Sequence, residues 1–272
     1  MKNIIFHPYC FLLILFGLNS ISFSQSKRII SLTPSITQEL YFLGEENNVI
    51  GITNFCKKIN KNQQIVGTYL QPNIEKILNL KPDIILMTKE GMSKDIVEQF
   101  DRFKLKYVTF EPINSYKELK KQFLDLATIF NKQNIAKEKI YNLETTNFEK
   151  KIINKKQKPE VAFVVDNELL IVASHTSYIG EILNYSGVEN IIKTEKKYPQ
   201  ISIEELTKVD PDYLIISDMG MKGNQVKKYF KKFSWLNAVK NNRLIVVDSN
   251  IFCQPTVENF WNSVNTLNNI LK

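Results

Sequence analysis

The chain has 272 residues, 43% of them hydrophobic, and a formal net charge of +8. That length exceeds one average domain and is enough for two modest cores. The lysines are scattered, as in KKINKNQQ and KKYFKKF; a nucleic-acid groove needs cations gathered on one face with interleaved aromatics, so no nucleic-acid partner is expected.

Residues 1–24, MKNIIFHPYCFLLILFGLNSISFS, place one lysine before an apolar run from Phe11 to Leu18 and close on Ser22-Phe23-Ser24. This is the layout of a secretory signal peptide cleaved after Ser24. The run is broken by Gly17, Asn19 and Ser20, and it falls short of the roughly 20 apolar residues of a membrane anchor. A lipoprotein carries its cysteine just after the apolar run, whereas Cys10 precedes it. The mature protein is therefore expected in the periplasm, soluble and not lipid-anchored. It keeps Cys56 and Cys253, without the CxxC spacing of a metal site or the density of a disulfide scaffold.

Arg28 to Leu32 reads as a strand, Thr33-Pro34-Ser35 as a turn, and ITQELYFLG as a helix with Ile36, Leu40 and Leu43 on one face and Gly44 as its stop. Val49 to Thr53 is a second strand, followed by a polar loop from Asn54 to Gly67. Asn73 then caps a helix with Ile74, Ile77 and Leu78 on its apolar side; Pro82 ends it, and residues 84–87, IILM, form a buried strand. Helix 91–103, strand 106–110 and helix 115–130 complete an N-terminal α/β lobe over residues 25–132.

Residues 133–157 are charged, helix-prone and free of Pro and Gly up to Lys156. This stretch reads as a connecting helix, with a surface helix of the first lobe as the alternative. A C-terminal α/β lobe over 158–272 opens with strand 161–165, a hairpin around Asp166-Asn167 into 169–173, and a helix ending at Gly187. Ser202 and Glu205 then form a capping box. Helix, Pro211 and strand 213–217 follow, then a helix over 224–233, a strand at 244–248 and a final helix from Val257 to Leu271. Strands alternating with helices give an α/β fold class, two lobes with mainly parallel sheets.

PNIEKILNLKPDIIL at 72–86 and ISIEELTKVDPDYLI at 201–215 are the same pattern written twice. Pro82 and Pro211 are 129 residues apart, as are Ile74 and Ile203, Glu75 and Glu204, and Asp83 and Asp212. One helix-proline-strand pattern is common; its repetition in register marks two related lobes.

Signals for catalysis are thin. The two histidines are His7, in the leader, and His175 beside Ser174 and Thr176, so a histidine triad or multi-histidine metal site has no basis. GxGxxG, GxxxxGK[ST] and GxSxG are all missing.

RIISLTPSITQELYFLG, VIGIT, GTYLQPNIEKILNLKPDIIL and YPQISIEEL together resemble the periplasmic vitamin B12-binding proteins. These belong to the helical-backbone class of ABC-importer binding proteins for corrinoids, siderophores and haem. The similarity runs from Arg28 to the C-terminus. It implies two lobes joined by one long helix, a ligand cleft between them, no enzymatic activity and no cofactor. The implied partners are a metal-complex ligand and an ABC permease with its ATPase, with the binding protein itself a monomer.

In similar proteins a glutamate on each lobe docks onto the permease, and Glu75 and Glu204 hold the equivalent positions. An acid in a first turn also stabilises a helix by about 0.3–1 kcal/mol whatever its function, and both roles stay open. The resemblance places Tyr69, Tyr198 and Phe55 at the cleft, where flat rings suit a corrin or porphyrin face; burial beside a loop is the alternative. Gln254 stands in NIFCQPT, where the family often has an arginine, which weakens the case for a carboxylate-rich siderophore. Cys56 and Cys253 fall on two loops aligned with the cleft, as soft metal ligands, a disulfide, or two unrelated buried thiols. The expected ligand is a cobalamin-like corrinoid, with haem or a ferric siderophore as the alternative. An exported hydrolase on the same scaffold is a remote one.

Overall fold

The computed structural model describes residues 27–90, 92–148, 158–219 and 223–271. The expected leader peptide, residues 1–24, and residues 149–157 of the expected connecting helix lie outside them. In the N-terminal lobe β1 (Ile29–Ser31), β2 (Val49–Ile52), β3 (Gln64–Ile65), β4 (Ile84–Thr88) and β5 (Tyr107–Phe110) form a parallel sheet in the order β3-β2-β1-β4-β5. Helices α1 (Pro34–Phe42), α2 (Ile74–Leu80), α3 (Lys94–Arg102) and α4 (Tyr116–Ile129) cover it. Both sheet faces are buried, which is why β1 and β4 read as continuous apolar runs. Ile29 and Leu86 pack with Ile36, Leu40 and Leu126, while Ile30, Ile85 and Met87 pack with Ile77 and Phe100.

After α5 (Gln133–Phe148) the second lobe holds β6 (Glu160–Asp166), β7 (Ile171–Val172), β8 (Glu189–Asn190), β9 (Tyr213–Ser217) and β10 (Leu244–Val247). Its order is β10-β9-β6-β7, with β8 also pairing with β6, and only the β6–β7 hairpin is antiparallel. The helices are α6 (Tyr178–Tyr185), α7 (Ile203–Val209), α8 (Gly223–Phe230), α9 (Asn237–Lys240), α10 (Ser249–Phe252) and α11 (Val257–Ile270). β3, β8, α9 and α10 run for two to four residues, too short for a hydrophobic period to reveal.

The sequence repeat is a structural repeat. Asn73 caps α2 by accepting from the Lys76 N–H at 2.9 Å, and Ser202 caps α7 within a complete capping box. Each helix ends one residue before its proline, at Lys81 (φ 46°) and Asp210 (φ 40°), both left-handed. The proline thus follows the stop, since the residue before a proline is barred from the right-handed helical region. Asp83 accepts the Arg28 backbone N–H at 2.7 Å just ahead of β1, and Asp212 accepts that of Glu160 at 3.0 Å as β6 begins. The repeated Pro-Asp therefore ties each helix-to-strand turn to the leading strand of its own sheet.

The lobes do not keep separate cores. One cluster runs from Tyr116, Leu119 and Phe123 on α4 through Ala136 and Ile140 on α5 to Phe163, Ile182, Phe260 and Trp261 of the second lobe. Tyr116 stacks on Phe260 at 4.5 Å and accepts a hydrogen bond from Trp261 Nε1 at 2.8 Å. Ala136, Ile140 and Leu143 thus give α5 a packing face, and the described part of the helix lies against α4 and α11.

α6 packs directly onto the turn before it: a Cβ on Gly180 would lie 2.3 Å from the Ser174 carbonyl oxygen and 2.8 Å from the His175 carbonyl carbon. Backbone cannot yield as a side chain can. Gly180→Ala is expected to cost about 1–3 kcal/mol, the usual range for overpacking. Urea unfolding measures it, and a change within about 0.5 kcal/mol, the level of a neutral surface substitution, would mean that the turn relaxes freely.

Candidate functional site

The C-terminal ends of both parallel sheets face one cleft. From the first lobe come Thr33 after β1, Thr88 at the end of β4, and Pro112 and Ile113 after β5; from the second come Val165 of β6, Met219 after β9, and Cys253 to Pro255 after α10. Two adjoining cavities of about 410 and 180 Å³ share Glu90, Ile113, Cys253 and Pro255. A concavity of about 460 Å³ bordered by Lys27, Pro82 and Lys104 lies at the opposite, N-terminal ends of the first sheet's strands. Ligands of open α/β sheets bind beyond the carboxyl ends of the strands, where the strand order reverses, so the interlobe cleft is the functional candidate.

That reversal falls between β1 and β4, and a polar cluster marks it. Thr33 Oγ1 accepts the Thr88 N–H at 3.0 Å, and the Tyr69 hydroxyl lies 2.9 Å from Thr88 Oγ1. Tyr198 borders the cleft from the second lobe and stands 129 residues after Tyr69, the offset of the repeat. The duplication therefore supplies one cleft tyrosine per lobe.

The chemistry of these groups is uniform. Burial pushes the Tyr69 hydroxyl up in pKa, partly offset by its bond to Thr88. Burial does the same to Tyr198, reinforced by Cys253 and Glu90. Burial pushes the Cys253 thiol up to about 11, against a hydrogen bond to Ser217. At neutral pH the cleft accordingly presents phenols and a thiol that keep their protons. A protonated thiol is a poor metal ligand, and no cluster of three metal-ligating side chains occurs among the described residues.

Charged neighbours of the cleft are Glu90, Glu111 and Lys197, with Glu111 paired to Lys89. The chain's arginines are Arg28, Arg102 and Arg243, and none borders either cavity.

Across the back of the cleft α1 is fastened to the start of α11. Glu39 Oε1 accepts the Val257 N–H at 2.8 Å, and Gln38 Oε1 accepts from Asn259 Nδ2 at 2.8 Å. Gln38 also donates to the Gln254 side chain, whose amide in turn donates to Asn250 at 3.2 Å. Glu39 is fully buried, and burial pushes its carboxyl up to about 8.

A sequence profile of periplasmic binding proteins matches residues 29–251. The chain belongs to the periplasmic binding protein family. It is accordingly a substrate-binding component of an ABC importer, in a family of transport proteins and not of enzymes. The Fe(3+)-citrate-binding protein YfmC of Bacillus subtilis is 30% identical over 249 residues, 82% of this chain and 76% of that protein. The high-affinity heme uptake system protein IsdE of Staphylococcus aureus is 27% identical over 233 residues, 80% of this chain and 77% of its own. A possible iron-binding periplasmic solute-binding protein of Staphylococcus epidermidis superposes with a TM-score of 0.79 at 22% identity, covering 91% of this chain and 99% of that one. The vitamin B12-binding protein BtuF of Vibrio cholerae does so with a TM-score of 0.69 at 19% identity, covering 90% and 96%. At these identities the two structures speak for the fold alone.

Within this binding protein Tyr69, Tyr198, Gln254 and Cys253 border the cleft. Phe55 does not. It is 70% exposed on the loop after β2 and touches neither cavity. Cys56 also turns away: its sulfur sits in the core beside Ile36 and Leu40, 3.1 Å from Thr37 Oγ1 and 3.2 Å from Thr53 Oγ1. The two thiols are thus split between core and cleft, and both are free. Glu75 and Glu204 are exposed in the first turns of α2 and α7. Its own backbone N–H, followed by the Ser202 hydroxyl, holds the Glu204 carboxyl below its usual range. Sequence reasoning missed Glu90, Gln122, Tyr178 and Met219 at the cleft, and Glu39 behind it. The strand ends before Glu90 and Met219 were a usable signal; nothing local marks the other three.

Proposed function

We propose that this protein is the soluble, exported receptor of an ABC importer that captures a cobalamin-like corrinoid between its lobes and delivers it to the permease. The observation that carries the reading is the cleft's make-up among the described residues: two repeat-related tyrosines with neutral hydroxyls, two glutamates, one lysine and no arginine. A corrinoid offers a broad flat ring for the aromatic walls and a periphery of uncharged carboxamides whose N–H groups suit glutamates. Ferric citrate and most siderophores carry several carboxylates or catecholates, which call for bidentate arginines. The name of the relative IsdE supports haem as the second reading, with Lys197 the one cation among the described residues that borders the cavities and could meet a propionate.

Incubation of the purified protein with cyanocobalamin, haem, ferric citrate or a ferric catecholate, followed by gel filtration, tests the choice. Cyanocobalamin is expected to co-elute at about one per protein, by its visible absorption, and ferric citrate to be excluded. Co-elution of haem without cobalamin would install the second reading, and four colourless protein peaks would remove both.

A further inference from the structure

Tyr178 opens α6 at 3% exposure, and its hydroxyl meets no hydrogen-bond partner among the described residues. Tyrosine hydroxyls usually find a partner when buried, because leaving one unmet forfeits its hydration for nothing. The ring packs in the shared core, 6.2 Å from Phe260. The residue nonetheless borders the larger cleft cavity beside Ile179 and Tyr198. The ionisable groups that act on its hydroxyl are Tyr198, Cys253, Glu39 and Glu181, and the first two also border that cavity.

Five buried side-chain atoms lack a partner among the described residues, and three belong to this region: Tyr178 Oη, Glu39 Oε2 behind the cleft, and Gln122 Oε1. Gln122 belongs to the opposite lobe, is 6% exposed, and borders the smaller cavity with Tyr69 and Thr88. Each lobe therefore places along the cleft a residue whose side chain carries an unsatisfied polar atom. Burial holds the Tyr178 phenol in its protonated, donating form, while Gln122 Oε1 is an acceptor.

We propose that Tyr178 is a specificity-determining residue whose hydroxyl donates a hydrogen bond to an acceptor oxygen of the cargo, of the carboxamide class on a corrinoid periphery. This inference rests on the corrinoid reading above. A carboxamide has the carbonyl that Tyr178 needs and the N–H that Gln122 accepts. A carboxylate has no N–H to give.

Tyr178→Phe keeps the ring and removes the donor. Calorimetric titration with cyanocobalamin is expected to show affinity reduced about tenfold, equivalent to ~1.4 kcal/mol. The melting temperature of the ligand-free protein should be unchanged or higher, since the deleted hydroxyl had no internal partner. Equal affinity of variant and wild type overturns the assignment while leaving the corrinoid reading intact. A melting temperature lowered by several degrees also overturns it, by showing that the hydroxyl makes an internal bond. Wild-type protein that fails to bind cyanocobalamin overturns the carboxamide chemistry together with the cargo reading.

Discussion

Replacing Glu39 by glutamine is expected to stabilise the protein by roughly 4 kcal/mol at pH 8 and to flatten its pH dependence of stability. Burial pushes the folded-state pKa from 4.5 up to about 8, so between those values the folded carboxyl keeps a proton that the unfolded chain has released. Stability then falls by about 1.4 kcal/mol per pH unit. The contribution is fully present below pH 4.5, declines as pH rises, and is gone above about 8. Glutamine retains the carbonyl that accepts the Val257 N–H and removes the charge, so it escapes this loss. Urea unfolding of both proteins at pH 5 and pH 8 measures the difference. Parallel pH profiles would show that the Glu39 carboxyl is hydrated in solution. The site matters because Glu39 joins α1 of one lobe to α11 of the other, and a loosened junction would change the cleft.

The second large effect is on delivery. With Glu75→Lys and Glu204→Lys combined, uptake in reconstituted vesicles is expected to fall at least about a hundredfold while ligand affinity stays within about twofold, because opposed charges set encounter and register between partners. The two carboxylates are exposed, sit at identical points of the repeat, and are absent from both cleft cavities. Reversal also places a cation at each helix start, at about 0.3–1 kcal/mol per helix, too little to unfold the protein. Unchanged uptake would sink the docking role. A parallel fall in affinity would assign the pair to the cleft or the fold instead.

Much of this molecule is written locally. Asn73 and Ser202 announce helix starts, Pro82 and Pro211 announce stops, and the apolar runs after them announce strands buried on both faces. Periodicity and capping act over a few residues, so one sequence discloses them, and the 129-residue offset discloses that the unit is used twice. The same offset relates Tyr69 to Tyr198, although the cleft has to be seen before the pairing acquires meaning.

What sequence alone determined was therefore the two α/β lobes, the repeated helix-turn-strand unit and the glutamates at its helix starts. Only the tertiary structure decided which side chains meet between lobes. Phe55 and Cys56 are neighbours, yet one faces water and the other the core. Glu39 looks like a surface residue of an amphipathic helix, yet it is buried because α11 arrives from 218 residues away to cover it. Tyr178 has the same origin, its hydroxyl closed in beside Cys253 and Glu39, groups far apart along the chain. A residue's own neighbours fix which face of its element is apolar. What is brought against that face depends on packing between distant elements, and there the buried carboxyl and the unmet hydroxyl arise.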